Sequence, residues 1–548
     1  MKIGLFGSCG YFLYLCIMFV RKVKNRSGTT SVQVVYKDRK RRQNRIVKTY
    51  GASSDEKEVE RMCMEARQWA KEHSKGMDLF ENEGIDRVIS ASDYDSIFSS
   101  IHQEQVRLVG PELVYGTLFD RIGYNRVKTG DMGLFRSLVI TRLYRPKSKL
   151  RTAEYMMRFL HKFYDEDKIY RYLDELCRRE GVRSDKETDV KTQIESITYH
   201  HTRRVVGGEV TLVFYDTTTI YFESREDDFR KSGWSKDGKN SNPQVVLGLL
   251  VGAGGNPVGY EIHPGNTYEG HTIIPIIKKM QERFHIGKPT VIADAGLLNA
   301  ENIRDLEAEG YRYILGARIK SRPAAFRADL AARGMKSGQS VSIPIEKGRR
   351  MVVTMSDDRA RKNASDRARG ITRLEKRFRG GKLTKQNVNN RGYNKFLSMD
   401  GDVNVRIDYA KIEEDQRLDG LKGYITNIGE GELPDAKIVE NYTHLAMIER
   451  AFRMNKTDLD IRPVFHRLHN RIEAHVCICF TAYTIMLELE RILKAAGTRI
   501  TLDRARFLVE SIYAIDYVNP YNSRHKSVLL KTENDRETHE LLNILGKT

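Results

Sequence analysis

Residues 210–216 read VTLVFYD and residues 289–294 read PTVIAD: two apolar runs, each closing on an aspartate, Asp216 and Asp294. Short runs rich in Val, Ile, Phe and Tyr read as buried strands. Between them the pattern gives strands at 244–251 and 258–263 and a helix at 271–284. A helix from Ala300 and a strand at 311–317 follow. The glycines of VGAGGNPVGYEIHPGN (251–266) lack the Lys-Ser/Thr ending and following helix of a phosphate loop, so they read as the turn of a hairpin. A sheet that folds back in this order brings the two aspartate-bearing strand ends side by side.

A third acid, Glu449, falls in YTHLAMIERAFRMNK (442–456), where Tyr442, Glu449, Arg453 and Lys456 recur at steps of seven, four and three. That spacing stacks residues along one helical face. Acids gathered in one place repel unless a cation lies between them, and a hard ion such as Mg2+ or Mn2+ is held by carboxylates, phosphate oxygens and water. Asp216, Asp294 and Glu449 are therefore the expected catalytic residues and ligands of two such ions, in a phosphoryl-transfer site. Tyr442, Arg450, Arg453 and Lys456, with Arg467 and Arg471 further on, are the expected DNA contacts. The expected fold class is α/β and multi-domain: an RNase H-like catalytic core, a mixed sheet with flanking helices, interrupted by a strand-rich insertion and preceded by a helical region.

The DTT after the first strand, the ADAG at the second and the Tyr-x2-Leu-x3-Glu-x6-Lys run resemble the DDE transposases of the IS4 superfamily. The continuation LDIRPVFHRLHNRIEAHVCICFTAY (459–483) resembles the IS1634 group in particular. The resemblance spans roughly residues 18 to 515, and the Glu449 block is its most specific part. Leu445 stands where that superfamily usually has Arg. The resemblance implies an insertion-sequence transposase that binds terminal inverted repeats, cuts and joins DNA with Mg2+, pairs two ends as a homodimer, and works in the bacterial cytosol at the nucleoid. The rival readings are an RNase H-like nuclease or resolvase without strand transfer, and a DNA-binding regulator with a silent site.

Composition agrees with a polyanionic partner. Lys plus Arg number 93 against 73 Asp plus Glu, a net charge of +20 over 548 residues, and such a surplus favours phosphate neutralisation. The six cysteines form no CxxC pair, which argues against a zinc ribbon or a disulfide framework. No apolar run after the first twenty residues is long enough to span a membrane.

Residues 1–17 are expected to be an upstream extension, with Met18 as the working start, and 18–109 a basic hairpin and a charged helix. A helical region at 110–205 is expected to bind DNA. The core is split into 206–318 and 420–495, the second part carrying the Glu449 helix, around an insertion at 319–419. A tail at 496–548 completes the chain.

Overall fold

Three antiparallel strands begin the described chain: β1 (Met18–Lys24), β2 (Thr30–Asp38) and β3 (Gln43–Ser53), in the order β1-β2-β3. Val32 and Val34 of β2 meet Val59, Met62, Cys63, Ala66 and Ala70 of the helix Glu56–His73, two residues apart on the strand and three or four apart on the helix, as each period requires. The Asp55 carboxylate accepts from the Lys57 backbone N–H at the start of that helix. Residues 1–101 and 102–548 form two separate compact units. The computed structural model describes residues 18–38, 43–73, 102, 105–177, 189–222, 227, 229–233, 242–268, 271–284, 287–296, 300–380, 383–389, 392–400, 404–461, 468–518, 525–530 and 535–547. The basic hairpin tip at 39–42 and the stretch 462–467, with Arg467, lie outside the described residues.

The second unit starts with the short strand β4 (Val106–Leu108) and then turns helical, as the apolar spacing predicts. The helices Met132–Tyr144, Lys149–Leu160, Glu166–Leu176 and Val190–Val206 are each opened by a capping side chain, Asp131, Ser148, Asp165 and Asp189 in turn, which accepts from a first-turn N–H. These helices do not close a core of their own. Their apolar faces join one large cluster with the sheet and with the helix His469–Ala495, whose run from Ile472 to Leu489 is buried throughout, Cys477 and Cys479 included.

The sheet has eight strands. β5 (Leu212–Tyr221), β6 (Gln244–Val251) and β7 (Pro257–Pro264) form an antiparallel meander, with the expected hairpin turn at Ala253–Gly255. β8 (Thr290–Ala293) and β9 (Tyr313–Ala317) pair parallel to β5 and to each other in turn. Within the strand-rich insertion, β10 (Ser340–Ile345) and β11 (Arg349–Met355) extend this same sheet. They reach it through the returning strand that follows the insertion, so that the full order is β10, β11, returning strand, β9, β8, β5, β6, β7. Among the described residues of the insertion, the pair β12 (Leu397–Asp400) and β13 (Asn404–Ile407) stands outside it, with the charged helix Asp357–Arg379 and a small core of Leu374, Phe396, Leu397 and Ile412. The returning strand is β14 (Leu421–Thr426). The tail closes with β15 (Tyr513–Val518) and β16 (His525–Leu529), and β15 pairs with β4, joining the two ends of the unit.

Alternation assigns the two faces of the sheet. Val213, Tyr215, Val291, Ala293, Tyr313 and Leu315 pack beneath the helices Ile273–Phe284 and Ala300–Ala308. Phe214, Ile292, Ile314 and Tyr424 face the other way, into the cluster that contains Tyr442, Ile448 and Phe452.

On the edge strand β7, Glu261 is nearly enclosed and lies 3.4 Å from Lys191 and 2.6 Å from Lys279, tying three elements together. Burial pushes its carboxyl up, but Lys191 and Lys279 more than offset this and hold it at about 2, below the ordinary 4.5. Because the folded value is the lower one, the stabilisation, about 3 kcal/mol, is complete above pH 4.5 and is lost as pH falls toward 2. Thermal unfolding followed across that range should show Glu261→Gln losing less stability on acidification than the parent chain.

Candidate active site

Asp216 does not end its strand as expected. Thr217, Thr218 and Thr219 are β-branched and buried, and they keep β5 paired with β6 as far as Tyr221↔Gln244. What ends beside Asp216 is the neighbouring strand. The parallel register of β5 and β8 runs from Leu212↔Thr290 to Tyr215↔Ala293, and one further step in it sets Asp216 beside Asp294, on strands about 4.8 Å apart. Both residues continue the alternation of Phe214 and Ile292, which puts them on the face that carries Tyr442 and the Glu449 helix. Asp216 is half-buried and Asp294 is exposed.

The third acid comes from a helix laid on this face. Tyr442, Glu449, Arg453 and Lys456, expected along one helical face, are instead divided between the helices Asp435–Thr443 and Ala446–Arg453 and a wider π turn at Met454–Asp458. Leu445, at the break, is buried in the large core, an apolar environment that suits Leu and not a guanidinium. The His444 ring meets the Phe214 ring edge-on at 6.4 Å, fixing the break above β5. Glu449 is exposed.

Tyr442 was expected to touch DNA. It is instead 3% exposed, and its hydroxyl donates to Asp294 Oδ1 at 3.1 Å. Burial first, then the negative charges of Asp294 and Glu449, push the phenol well above its usual range, so it stays a donor. Gly316 of β9 makes room for it: a Cβ there would lie closer to the Tyr442 hydroxyl than van der Waals contact allows.

The other expected DNA contacts divide. Arg450 is paired with Glu490 at 2.7 Å, and Arg471 makes a bidentate pair with Asp174 at 2.6 and 2.7 Å. Both guanidinium groups are thus engaged in ion pairs within the fold. Arg453, one turn beyond Glu449, is exposed, and Lys456 is half-buried on the π turn.

Two cations at the site were not singled out in the sequence. Lys422 of β14 places its ammonium 4.4 Å from the centre of the Tyr442 ring and 5.5 Å from that of Tyr424. Burial and then Arg359 push its pKa down, while Asp294 and Glu449 pull it back up. Those two carboxylates therefore share one neighbourhood. A single lysine inside the apolar strand DGLKGYITN (419–427) was the signal available beforehand. Arg359 lies in the first turn of the helix Asp357–Arg379, and nothing in that highly charged helix marks it out from its neighbours.

Among the described residues no three His, Cys, Asp or Glu side chains converge tightly enough to cage a metal ion. The three acids approach from two adjoining strands and a helix, and they offer carboxylate oxygen only. That donor chemistry fits a hard divalent cation better than zinc or a soft metal. No helix among the described residues is long and apolar enough to cross a membrane.

Residues 208–485 match the family model of the transposase DDE domain. The match covers just over half of the chain, and the protein belongs to that family. No curated protein matches it. Among solved structures it is similar to a piggyBac transposase synaptic complex with hairpin DNA, at 10% identity and a TM-score of 0.36, over 73% of this chain and 76% of that one. It is also similar to the Mos1 transposase paired-end complex with left transposon end, at 15% identity and a TM-score of 0.15, over 49% and 69%.

Removing the hydrogen bond to Asp294 with Tyr442→Phe should slow DNA cleavage about tenfold, the usual loss for a bond to a charged group. Gly316→Ala, which drives the tyrosine off its seat, should slow it at least as much. Both are read from initial rates on one duplex.

Proposed function

We propose that the protein is a DNA transposase of the IS4 superfamily, closest to the IS1634 group, that cuts at the ends of its insertion sequence and joins them to target DNA. The observation that carries this reading is the parallel register of β5 and β8, which aligns Asp216 with Asp294 beneath the Glu449 helix. An RNase H-like core is the fold this reading implies, and the mixed sheet with helices on both faces supports it.

Asp216, Asp294 and Glu449 would hold two Mg2+ or Mn2+ ions, which when bound supply positive charge to the attacked phosphate and to the leaving oxygen. The chain's own residues set the stage for that chemistry. Tyr442 fixes the rotamer of Asp294 through a hydroxyl that stays protonated. Arg453 and Lys456, following Glu449 toward the π turn, suit the phosphates of the bound end. The protein forms no covalent bond with DNA in this scheme. Its partners are the terminal inverted repeats, the target DNA and a second copy of itself that holds the other end. Its place is the cytosol, on the nucleoid, and its net charge of +20 suits that surrounding.

A duplex carrying the DNA that flanks this reading frame provides the test. With Mg2+ or Mn2+ the chain should cut at the element boundary and join the product to a second duplex, and chelation should stop both steps. Asp216→Asn, Asp294→Asn and Glu449→Gln should each lower the rate by roughly a thousandfold or more while still binding the duplex. Cutting guided by DNA structure, without joining, would instead indicate a nuclease, and binding without turnover a regulator.

A further inference from the structure

Lys422 and Arg359 form a cation pair that the acid trio does not account for. Lys422 and Tyr424 are two residues apart on β14, and therefore share the sheet face that carries Asp216, Asp294 and Tyr442. The Tyr424 and Tyr442 rings are 4.7 Å apart, and the Lys422 ammonium lies over both. Among the described residues this half-buried ammonium forms no hydrogen bond and no ion pair, and it faces two aromatic rings.

Arg359 reaches the same place from the insertion. Strands β11 and β14 pair through Thr354↔Lys422 and Met355↔Leu421, and Ser356 N–H donates to Gly420 O, so the helix that begins at Asp357 starts beside Lys422. The exposed Arg359 guanidinium sits close enough to act on both Lys422 and Tyr424. Two like charges brought together repel; Asp294 and Glu449 also act on Lys422, but among the described residues neither makes an ion pair with it, and an anion arriving between Lys422 and Arg359 relieves the repulsion. The aromatic box limits the choice. It holds the ammonium by its apolar flank and leaves the charged tip for one compact, strongly charged group.

Resting on the transposase reading above, we infer that Lys422 and Arg359 together bind one DNA backbone phosphate, either the scissile phosphate or its immediate neighbour. The insertion thus lends a positive charge to the site, as a phosphate-binding element that needs no metal.

The full-length chain, held in Ca2+ to prevent cutting, would be titrated with the flanking duplex and with versions carrying a single methylphosphonate at successive positions. Wild-type protein should bind roughly tenfold more weakly when one phosphate at or next to the cleavage point is neutral. Lys422→Gln should bind the unmodified duplex roughly tenfold more weakly, be indifferent to that same methylphosphonate, and lose about one from the slope of log affinity against log salt. Lys422→Arg should restore most of the affinity. Arg359→Gln should show the same positional indifference, and because Arg359 is exposed it decides the matter if Lys422→Gln fails to fold. Folded glutamine variants with wild-type affinity and a wild-type methylphosphonate profile would overturn the inference while leaving the transposase reading intact. A wild-type chain that neither binds nor cuts the duplex would overturn both.

Discussion

The pairing of β5 with β8 is the constraint on which the site depends. Two parallel strands locked in register by Val213, Phe214, Val291 and Ile292, all buried, cannot slip by one residue without turning every apolar side chain to the wrong face. The register that protects the core therefore also fixes Asp216 beside Asp294. Two adjacent carboxylates oppose each other's charge, so the arrangement favours a cation between them. The rest of the unit can be understood as support for this one juxtaposition: helices seal both faces of the sheet, and the Glu449 helix is held down by Ile448, Phe452 and the buried Leu445.

Tyr442 links that constraint to the other elements. Its ring packs on Tyr424 of β14, its hydroxyl holds Asp294 at the end of β8, and Gly316 of β9 gives it room. Three strands and a helix thus converge on one phenol. The insertion takes part as well, because β10 and β11 continue the sheet and the helix after β11 starts next to Lys422. A segment that interrupts the core in sequence completes it in space.

Much of this was legible beforehand. The apolar runs at 244–251 and 289–294 carry a signal strong enough to survive as strands in the fold. The acids were legible because three carboxylates at strand ends and on a helix make a rarer pattern than any one of them alone. What escaped was set by partners distant in sequence. The run of threonines after Asp216 reads as a polar turn until β6 is seen to pair with it. Tyr442, Arg450 and Arg471 find carboxylate partners in Asp294, Glu490 and Asp174, which lie 148, 40 and 297 residues away. The break at Leu445 and the π turn at Met454 are likewise responses to packing, invisible to helical spacing.

The convergence of Asp216, Asp294 and Glu449 on shared divalent ions is most directly tested by anomalous diffraction from crystals of the full chain soaked in Mn2+. The account predicts manganese density in contact with all three carboxylates, lost in Asp294→Asn crystals. Manganese bound elsewhere, or Glu449 turned away from a metal held by the two aspartates alone, would contradict it.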